Sequence, residues 1–238
     1  MFKETLVEGY EKMFSKNLSL EEVRNFEIFK EELLYWNERM NLTTITDDAD
    51  IAIKHCLDSL SPLQEEAYLR KGKMIDIGTG AGFPGIPLKI VMPSLEVTLL
   101  DSLKKRLNFL EGVIHKLGLE NIQTLHGRAE DYGRDPEHKE VYDYAVSRAV
   151  ARMPVLLEYA LPFVKVGGFF ICQKGPGIIE ELEASKKALE ILGGEVVDVR
   201  EVTLPFVERG HHVVVVKKIK RTPNKYPRQP GKPAKNPL

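Results

Sequence analysis

The chain has 238 residues, which is enough for one large α/β domain with a small extension, and its net charge is −1. Hydrophobic residues make up 43% and charged residues 29%, as in an ordinary globular protein, and no apolar run approaches the roughly 20 residues of a membrane span. Cys56 and Cys172 form no C-x-x-C pair, and the charged start MFKETLVEGYEK is not a signal peptide. We therefore expect a cytoplasmic protein without a disulfide framework or a metal site.

Residues 1–70 have the pattern of a helical cap. Ser19-Leu20-Glu21-Glu22 matches a capping box, in which a hydroxyl and a carboxylate satisfy the first amides of a helix. Apolar residues then recur at steps of three and four, at Phe26, Phe29, Leu33, Trp36 and Met40. NLTTITDDADI interrupts the pattern, and AIKHCLDSLSPL resumes it. We expect these helices to pack on the main domain.

Residues 71–220 alternate between short apolar runs and amphipathic stretches. Five candidate strands are KMIDIG, LEVTLLD, NIQTLHG, YDYAVS and GGFFICQK, and helices are expected between them and again between residues 178 and 192. This alternation predicts a parallel sheet covered by helices on both faces.

The end of this region departs from the alternation. EVVDVREVTLP and HHVVVVKKIK are two strands separated only by FVERG, which is too short for a helical crossover. These two strands should therefore be antiparallel. A mostly parallel, seven-stranded, Rossmann-like sheet with an antiparallel last strand is the layout of class I S-adenosylmethionine-dependent methyltransferases, whereas dinucleotide-binding folds usually keep an all-parallel sheet.

A glycine-rich turn follows the first strand and fits two ligand classes. Gly80 to Gly85 matches the dinucleotide pattern G-x-G-x-x-G, and Asp76 to Gly82 matches D-x-G-x-G-x-G of methyltransferases. Gly78 and Gly80 would let the backbone approach a ligand without a Cβ in the way. A tight turn without a ligand is the simpler alternative.

Two acidic residues favour S-adenosylmethionine over NAD at this turn. Asp76 ends the first strand, where a carboxylate would repel a pyrophosphate but can hold an amino acid's ammonium group. Asp101 ends the second strand and suits two ribose hydroxyls, which either cofactor carries.

Two further motifs lie after the third and fourth strands. In GRAEDY, Ala129 leaves room for an adenine and Glu130 can accept its exocyclic amine, although an acid at a helix start fits equally well. In SRAVARMP, Arg148 is the candidate for cofactor contact or catalysis, and a plain salt bridge is the alternative. The histidines show no metal spacing and no triad with a serine nucleophile.

The last residues are strongly basic. Eight Lys or Arg and no acid lie between Lys217 and Leu238, which leaves 26 basic and 35 acidic residues elsewhere and a net charge of −9 there. Residues 221–238 contain five prolines, so we expect no helix, and either disorder or an extended segment on a surface. RNA contact is one role for this tail and solubility is another. The RNA-binding candidates are Lys220, Arg221, Lys225, Tyr226 and Arg228, with Tyr226 stacking on an unpaired base.

The motifs together resemble one family. DIGTGAGFPGIPL, GRAEDY, SRAVA, HCLDSL with NLT upstream, and the ending KYPRQPGKPAKNPL resemble the glucose-inhibited division protein B family, the 16S rRNA guanine-N7 methyltransferases of bacteria. The matches run in order from about residue 37 to the C-terminus, and Cys56 stands where leucine is commoner in that family.

The resemblance implies methylation of one guanine in the decoding-region loop of small-subunit rRNA, with S-adenosylmethionine as donor. It places cofactor contacts on Gly78, Phe83, Ala129, Glu130 and Arg148. The expected partner is 16S rRNA or the small ribosomal subunit, with no membrane, no DNA and a monomeric enzyme. Three rival hypotheses are a small-molecule methyltransferase with a helical lid, an NAD-dependent oxidoreductase, and a non-catalytic rRNA-binding assembly protein.

Overall fold

A seven-stranded sheet forms the centre of the computed structural model, which describes residues 1–64, 68–208 and 210–238. The strand order is β3-β2-β1-β4-β5-β7-β6, and β7 runs in the direction opposite to the other six strands. The predicted mostly parallel sheet with an antiparallel last strand is therefore confirmed. The strands are β1 Lys73–Ile77, β2 Glu96–Asp101, β3 Ile122–His126, β4 Tyr142–Arg148, β5 Val164–Lys174, β6 Gly194–Val202 and β7 His211–Lys218. Arg209, in the predicted FVERG connection, and residues 65–67, in the predicted cap, lie outside the described residues.

Helices occupy most of the first 64 residues. The capping box is present: the Ser19 side chain accepts from the Glu22 amide, and the Glu22 carboxylate accepts from the Ser19 amide. A π-helical turn between α3 and α4 widens the backbone locally, a feature that is frequent at functional sites. The segments are α1 Phe2–Phe14, α2 Leu20–Met40, α3 Asp48–Ile51, the π turn Ala52–Leu57, α4 Asp58–Leu60 and a 3-10 turn Ser61–Gln64.

The remaining helices alternate with the strands, with two differences from the sequence-based expectation. The single helix expected between residues 178 and 192 is divided at Ser185, whose hydroxyl donates to the Glu181 carbonyl and competes with regular helix geometry. The proline-rich tail contains a short helix, so the expectation of no helix there was wrong; Pro233 lies in the first turn of this helix, where proline is tolerated. The helices are α5 Gly85–Val91, α6 Lys104–Leu117, α7 Ala129–Tyr132, α8 Met153–Ala160, α9 Ile178–Glu183, α10 Lys186–Leu192 and α11 Lys232–Lys235.

The two faces of the sheet carry two hydrophobic cores. On one face the N-terminal helices pack with α5 and α6, and on the other face α8 and α10 pack with Tyr226 of the tail. The predicted domain boundaries at residues 70 and 220 stay a prediction. The N-terminal helices and the sheet share one hydrophobic core. Among the described residues, no helix is both long and apolar enough to cross a membrane.

The sheet topology indicates where a ligand would bind. β1 lies between β2 and β4: from β1 the chain passes through α5 to β2 and on to β3 on one side, and it then returns from β3 to β4 on the other side of β1. In open α/β sheets, ligands bind beyond the carboxyl ends of the strands at this switch point. The predicted site residues at the ends of β1, β2 and β4 are therefore brought to one edge.

Candidate active site

The glycine turn after β1 is held against the end of β2. The amides of Gly78 and Thr79 both donate to the Leu100 carbonyl, at 2.9 and 3.0 Å. Gly78 has a φ of +68°, and a Cβ there would lie 2.7 Å from Val150 Cγ2. Gly80 has a φ of +60°, and the nearest atom to a Cβ there is 3.9 Å away. The turn thus requires glycine and leaves open space at Gly80, where a ligand can approach the backbone.

Asp76 has one carboxylate oxygen that is satisfied and one that is not. Its side chain is 0% exposed, and Oδ2 accepts from Thr79 Oγ1 at 2.7 Å and from the Gly85 amide at 2.9 Å. Oδ1 is buried and has no hydrogen-bond partner among the described residues. Burial raises the pKa of Asp76 to about 7. A buried oxygen without a partner is costly, so this position fits a ligand that brings a donor or a positive charge.

Asp101 fixes the turn from the end of β2. Its Oδ2 accepts from the Gly80 amide at 3.0 Å, and its Oδ1 accepts from the Leu103 amide at 2.8 Å. Arg106 lies 3.4 Å from the same carboxylate. Asp101 therefore links the glycine turn to the start of α6, and its contact with ribose hydroxyls stays a prediction.

Helix α7 begins beside Asp101 and carries the two residues predicted to meet an adenine. The Gly127 amide donates to the Asp101 carbonyl at 3.1 Å, and Ala129 and Glu130 follow as buried residues. Glu130 Oε1 accepts from the Gly231 amide of the tail at 2.9 Å. One oxygen of this carboxylate is thus committed to the tail, a contact the sequence did not indicate.

Phe83 forms an aromatic and cationic stack between the cap and the sheet. The His55 ring lies 4.6 Å from the Phe83 ring at an interplanar angle of 18°, and the Arg148 guanidinium lies 5.0 Å from its centroid. Burial, with a further contribution from the Arg148 charge, lowers the pKa of His55 to about 4. His55 is therefore neutral near pH 7 and does not act as an imidazolium here.

Arg148, the predicted catalytic or cofactor-contact candidate, takes part in a cluster that joins three distant chain segments. Its guanidinium is paired with the Asp58 carboxylate, whose other oxygen lies 3.2 Å from His211 Nδ1. Gln173 Nε2 donates to the Asp58 carbonyl. We call Asp58, Arg148, Gln173 and His211 the Asp58 cluster. It borders a cavity of about 230 Å³ at the carboxyl ends of β4 and β5, also lined by Lys174.

Sequence reasoning missed most of the Asp58 cluster. The sequence assigned no role to His211, but its side chain is only 16% exposed and lies within hydrogen-bond distance of Asp58 and Ser61. HCLDSL contributed to the resemblance, yet nothing in its spacing assigned a role to Asp58. The partners lie 90 and 153 positions away, which no local pattern reports.

The tail residues separate into anchored and exposed side chains. Tyr226 is 8% exposed and Arg228 pairs with Glu158, so neither is the free RNA-facing residue that was expected. Lys220, Arg221 and Lys225 are exposed, and their contact with RNA stays a prediction.

Comparisons with known proteins agree with the sequence motifs. A family model described as "rRNA small subunit methyltransferase G" matches residues 22–211. A ribosomal RNA small subunit methyltransferase G of Alkaliphilus oremlandii is 60% identical over 210 residues, covering 88% of each chain. One of Acetivibrio thermocellus is 54% identical over 238 residues, covering 99% of this chain and 96% of that one.

A solved structure shows the same fold at low identity. TYW2 of M. jannaschii, solved in complex with AdoMet, is 21% identical with a TM-score of 0.52, and the match covers 69% of this chain and 76% of that chain. The class I methyltransferase architecture predicted from the hairpin ending is therefore confirmed. Because the family model spans the glycine turn, α7 and the whole Asp58 cluster, the resemblance is confirmed, and the chain belongs to the rRNA small subunit methyltransferase G family.

Proposed function

We propose that this chain transfers the methyl group of S-adenosylmethionine to N7 of a guanine in the decoding-region loop of small-subunit rRNA. The observation that carries the proposal is the family match over residues 22–211. Every predicted cofactor residue lies within this range, at the end of one of the strands β1 to β4 or directly after it. The acceptor atom comes from the family resemblance. The enzyme acts as a monomer in the cytoplasm.

The residues of the glycine turn fit the cofactor. Asp76 Oδ1 is a buried acceptor without a partner among the described residues, which suits the ammonium group of the methionyl part. Asp101 suits the ribose hydroxyls, and Ala129 and Glu130 suit the adenine. Gly78 and Gly80 let the backbone approach, and Phe83 and Arg148 lie on the side of the cap. The bound cofactor supplies an electrophilic methyl group on a sulfonium.

The proposed reaction requires the protein mainly to align the guanine with the methyl group of the cofactor. Guanine N7 has an unshared electron pair and no proton, so its methylation needs no general base. The chain must orient the base and exclude water, which is catalysis by proximity. The neutral His55 and the paired Arg148 are consistent with this requirement. We place the acceptor base in the cavity bordered by the Asp58 cluster and Lys174.

The basic end of the chain supports an RNA substrate. Six of its eight cations are exposed, and they are Lys217, Lys220, Arg221, Lys225, Lys232 and Lys235. Neutralising phosphates with such side chains supplies affinity that does not depend on base sequence. An acidic body elsewhere limits where RNA is attracted.

The deciding experiment is transfer of a labelled methyl group from S-adenosylmethionine to 30S subunits and to protein-free 16S rRNA that lack the modification. We expect N7-methylguanosine as the product nucleoside and no transfer by an Asp76→Asn variant. Cofactor binding without transfer to either RNA would indicate a small-molecule acceptor or an assembly role. Stabilisation by NADH but not by S-adenosylhomocysteine would instead support the oxidoreductase hypothesis.

A further inference from the structure

We propose that the C-terminal segment Arg221–Leu238, here called the strap, positions helix α7 and thereby the adenine end of the cofactor site. The proposal rests on the proposed function, because it assigns α7 to the cofactor. It gives the strap a role separate from RNA contact: Arg228 and Gly231 are positioning residues that act through α8 and α7.

The first anchor of the strap is a buried ion pair on α8. Glu158 is 0% exposed, and its Oε1 accepts from the Arg228 amide at 2.7 Å and from Arg228 Nε at 2.9 Å. Its Oε2 accepts from Arg228 Nη2 at 2.6 Å. A carboxylate buried to this degree needs a charged, well-aligned partner, and a bidentate arginine supplies both. The strap is therefore held on α8 at a defined register.

The second anchor lies at the carboxyl end of α7. Arg134 Nε donates to the Pro227 carbonyl at 2.6 Å. A Cβ on Gly133 would lie 2.9 Å from Pro227 Cγ, so the strap backbone and α7 are in close contact. Tyr226, which directly precedes Pro227, is buried in the hydrophobic core on the face of the sheet that carries α8 and α10.

The third contact reaches the residue predicted to meet the adenine. The Gly231 amide donates to Glu130 Oε1 at 2.9 Å, and Glu130 is 5% exposed. On its other side, α7 is tied to Asp101 through the Gly127 amide. Helix α7 has only four residues, Ala129–Tyr132, and a helix this short does not hold its own conformation. Its position must come from contacts outside it, which include α8, the end of β2 and the strap.

The anchors and the exposed cations occupy different residues, so the two roles of the strap can be tested separately. Lys232 and Lys235 follow Gly231 and are exposed. A chain ending at Gln229 loses the Gly231 contact, helix α11 with its buried Pro233, the packing of Leu238 and both lysines, but keeps the Arg228–Glu158 pair. The double variant Lys232→Ala/Lys235→Ala loses only the two charges and is the matched control.

The experiment measures S-adenosylhomocysteine binding by calorimetry for the full chain, the chain ending at Gln229 and the double variant. We expect the shortened chain to bind about tenfold more weakly, and the double variant to bind like the full chain. A second readout is amide hydrogen exchange of residues 127–133 without ligand, which should be at least several-fold faster in the shortened chain only. Arg228→Lys, which keeps the charge but not the bidentate geometry, should give an intermediate affinity.

Equal affinity and equal exchange in the full and shortened chains would overturn the proposal. The same weakening in the double variant would also overturn it, because charge and not the Gly231 contact would then be responsible. If the full chain binds no S-adenosylhomocysteine, the proposed function fails instead, and the exchange rates of α7 still decide whether the strap positions it.

Discussion

Arg148, at the end of β4, is paired with Asp58, at the start of α4, across 90 residues of sequence. The pair joins the N-terminal helices to the carboxyl edge of the sheet, and His211 of β7 shares the same carboxylate. Both side chains are largely buried, and the Arg148 guanidinium also donates to the Lys54 carbonyl at 3.1 Å. The helical cap is therefore attached at the candidate active site itself, so we expect cap stability and site geometry to change together.

Replacing Asp58 should destabilise the protein far more than replacing an exposed acid nearby. Asp58→Ala leaves Arg148 and His211 without their carboxylate, and breaking a buried pair in this way costs about 3 kcal/mol of unfolding free energy. Asp50→Ala is the control, since the exposed Asp50–Lys54 pair contributes less than about 1 kcal/mol. Urea unfolding monitored by circular dichroism measures both. Equal losses in the two variants would contradict the structural role of the Asp58 cluster.

The pKa of Asp76 makes cofactor binding depend on pH. The unfolded carboxyl titrates near about pH 4 and the folded one at about 7, so between these values the folded chain holds a proton that the unfolded chain has lost. The stability of the ligand-free protein should therefore fall as pH rises through this window, and level off above it. An ammonium partner needs the ionised carboxylate, so S-adenosylhomocysteine affinity should rise up to about pH 7.

Calorimetry in two buffers of different ionisation enthalpy measures the linked proton. At about pH 6 we expect binding to release close to one proton, because one group changes from protonated to ionised. Asp76→Asn removes the titration and should remove the proton release. Proton release that persists in this variant would assign the effect to another group.

Two helical glycines with different surroundings, Gly85 at the start of α5 and Gly112 inside α6, should respond in opposite ways to alanine. A Cβ on Gly85 would lie 2.5 Å from Leu99 Cδ2 and 2.8 Å from Asp76 Oδ2, so Gly85→Ala should destabilise by about 1–3 kcal/mol and weaken cofactor binding. Gly112, inside α6, has nothing within 4 Å of a Cβ, so Gly112→Ala should stabilise by about 0.5–1 kcal/mol. Thermal unfolding distinguishes the two signs. If Gly85→Ala leaves the thermal stability unchanged, the side chains around Asp76 can move to accommodate the added methyl group.

The exposed cations before and within the strap should set the salt dependence of RNA binding. Removing Lys220, Arg221 and Lys225 together should lower the slope of log affinity against log salt by about 2, at roughly 0.7 per single-stranded phosphate contact. S-adenosylhomocysteine affinity should not change, because these side chains make none of the strap's contacts with Glu130, Arg134 or Glu158. Fluorescence anisotropy of an rRNA fragment at several KCl concentrations measures the slope. An unchanged slope would place the RNA elsewhere on the surface.

Local sequence was sufficient for most of the sheet. The capping box at Ser19, the glycine turn and the short FVERG connection are features of neighbouring residues, and backbone geometry follows from them with little influence from the rest of the chain. The acids at the ends of β1 and β2 could also be identified from the sequence, because each directly follows an apolar run. The carboxyl ends of parallel strands meet at one edge of a sheet, so these acids were expected to lie close together. The motifs also identified the family.

The tertiary structure alone decided which side chains meet across long separations. Asp58 with His211, Arg228 with Glu158 and Glu130 with Gly231 are pairs whose energies depend on burial and alignment, and neither quantity is encoded in local spacing. The composition of the tail indicates a basic segment, because composition gives the number of charges. It does not show which of these charges are paired with buried groups, as Arg228 is with Glu158. Sequence therefore determined the elements and the chemistry they carry, and long-range packing determined which groups are free to act.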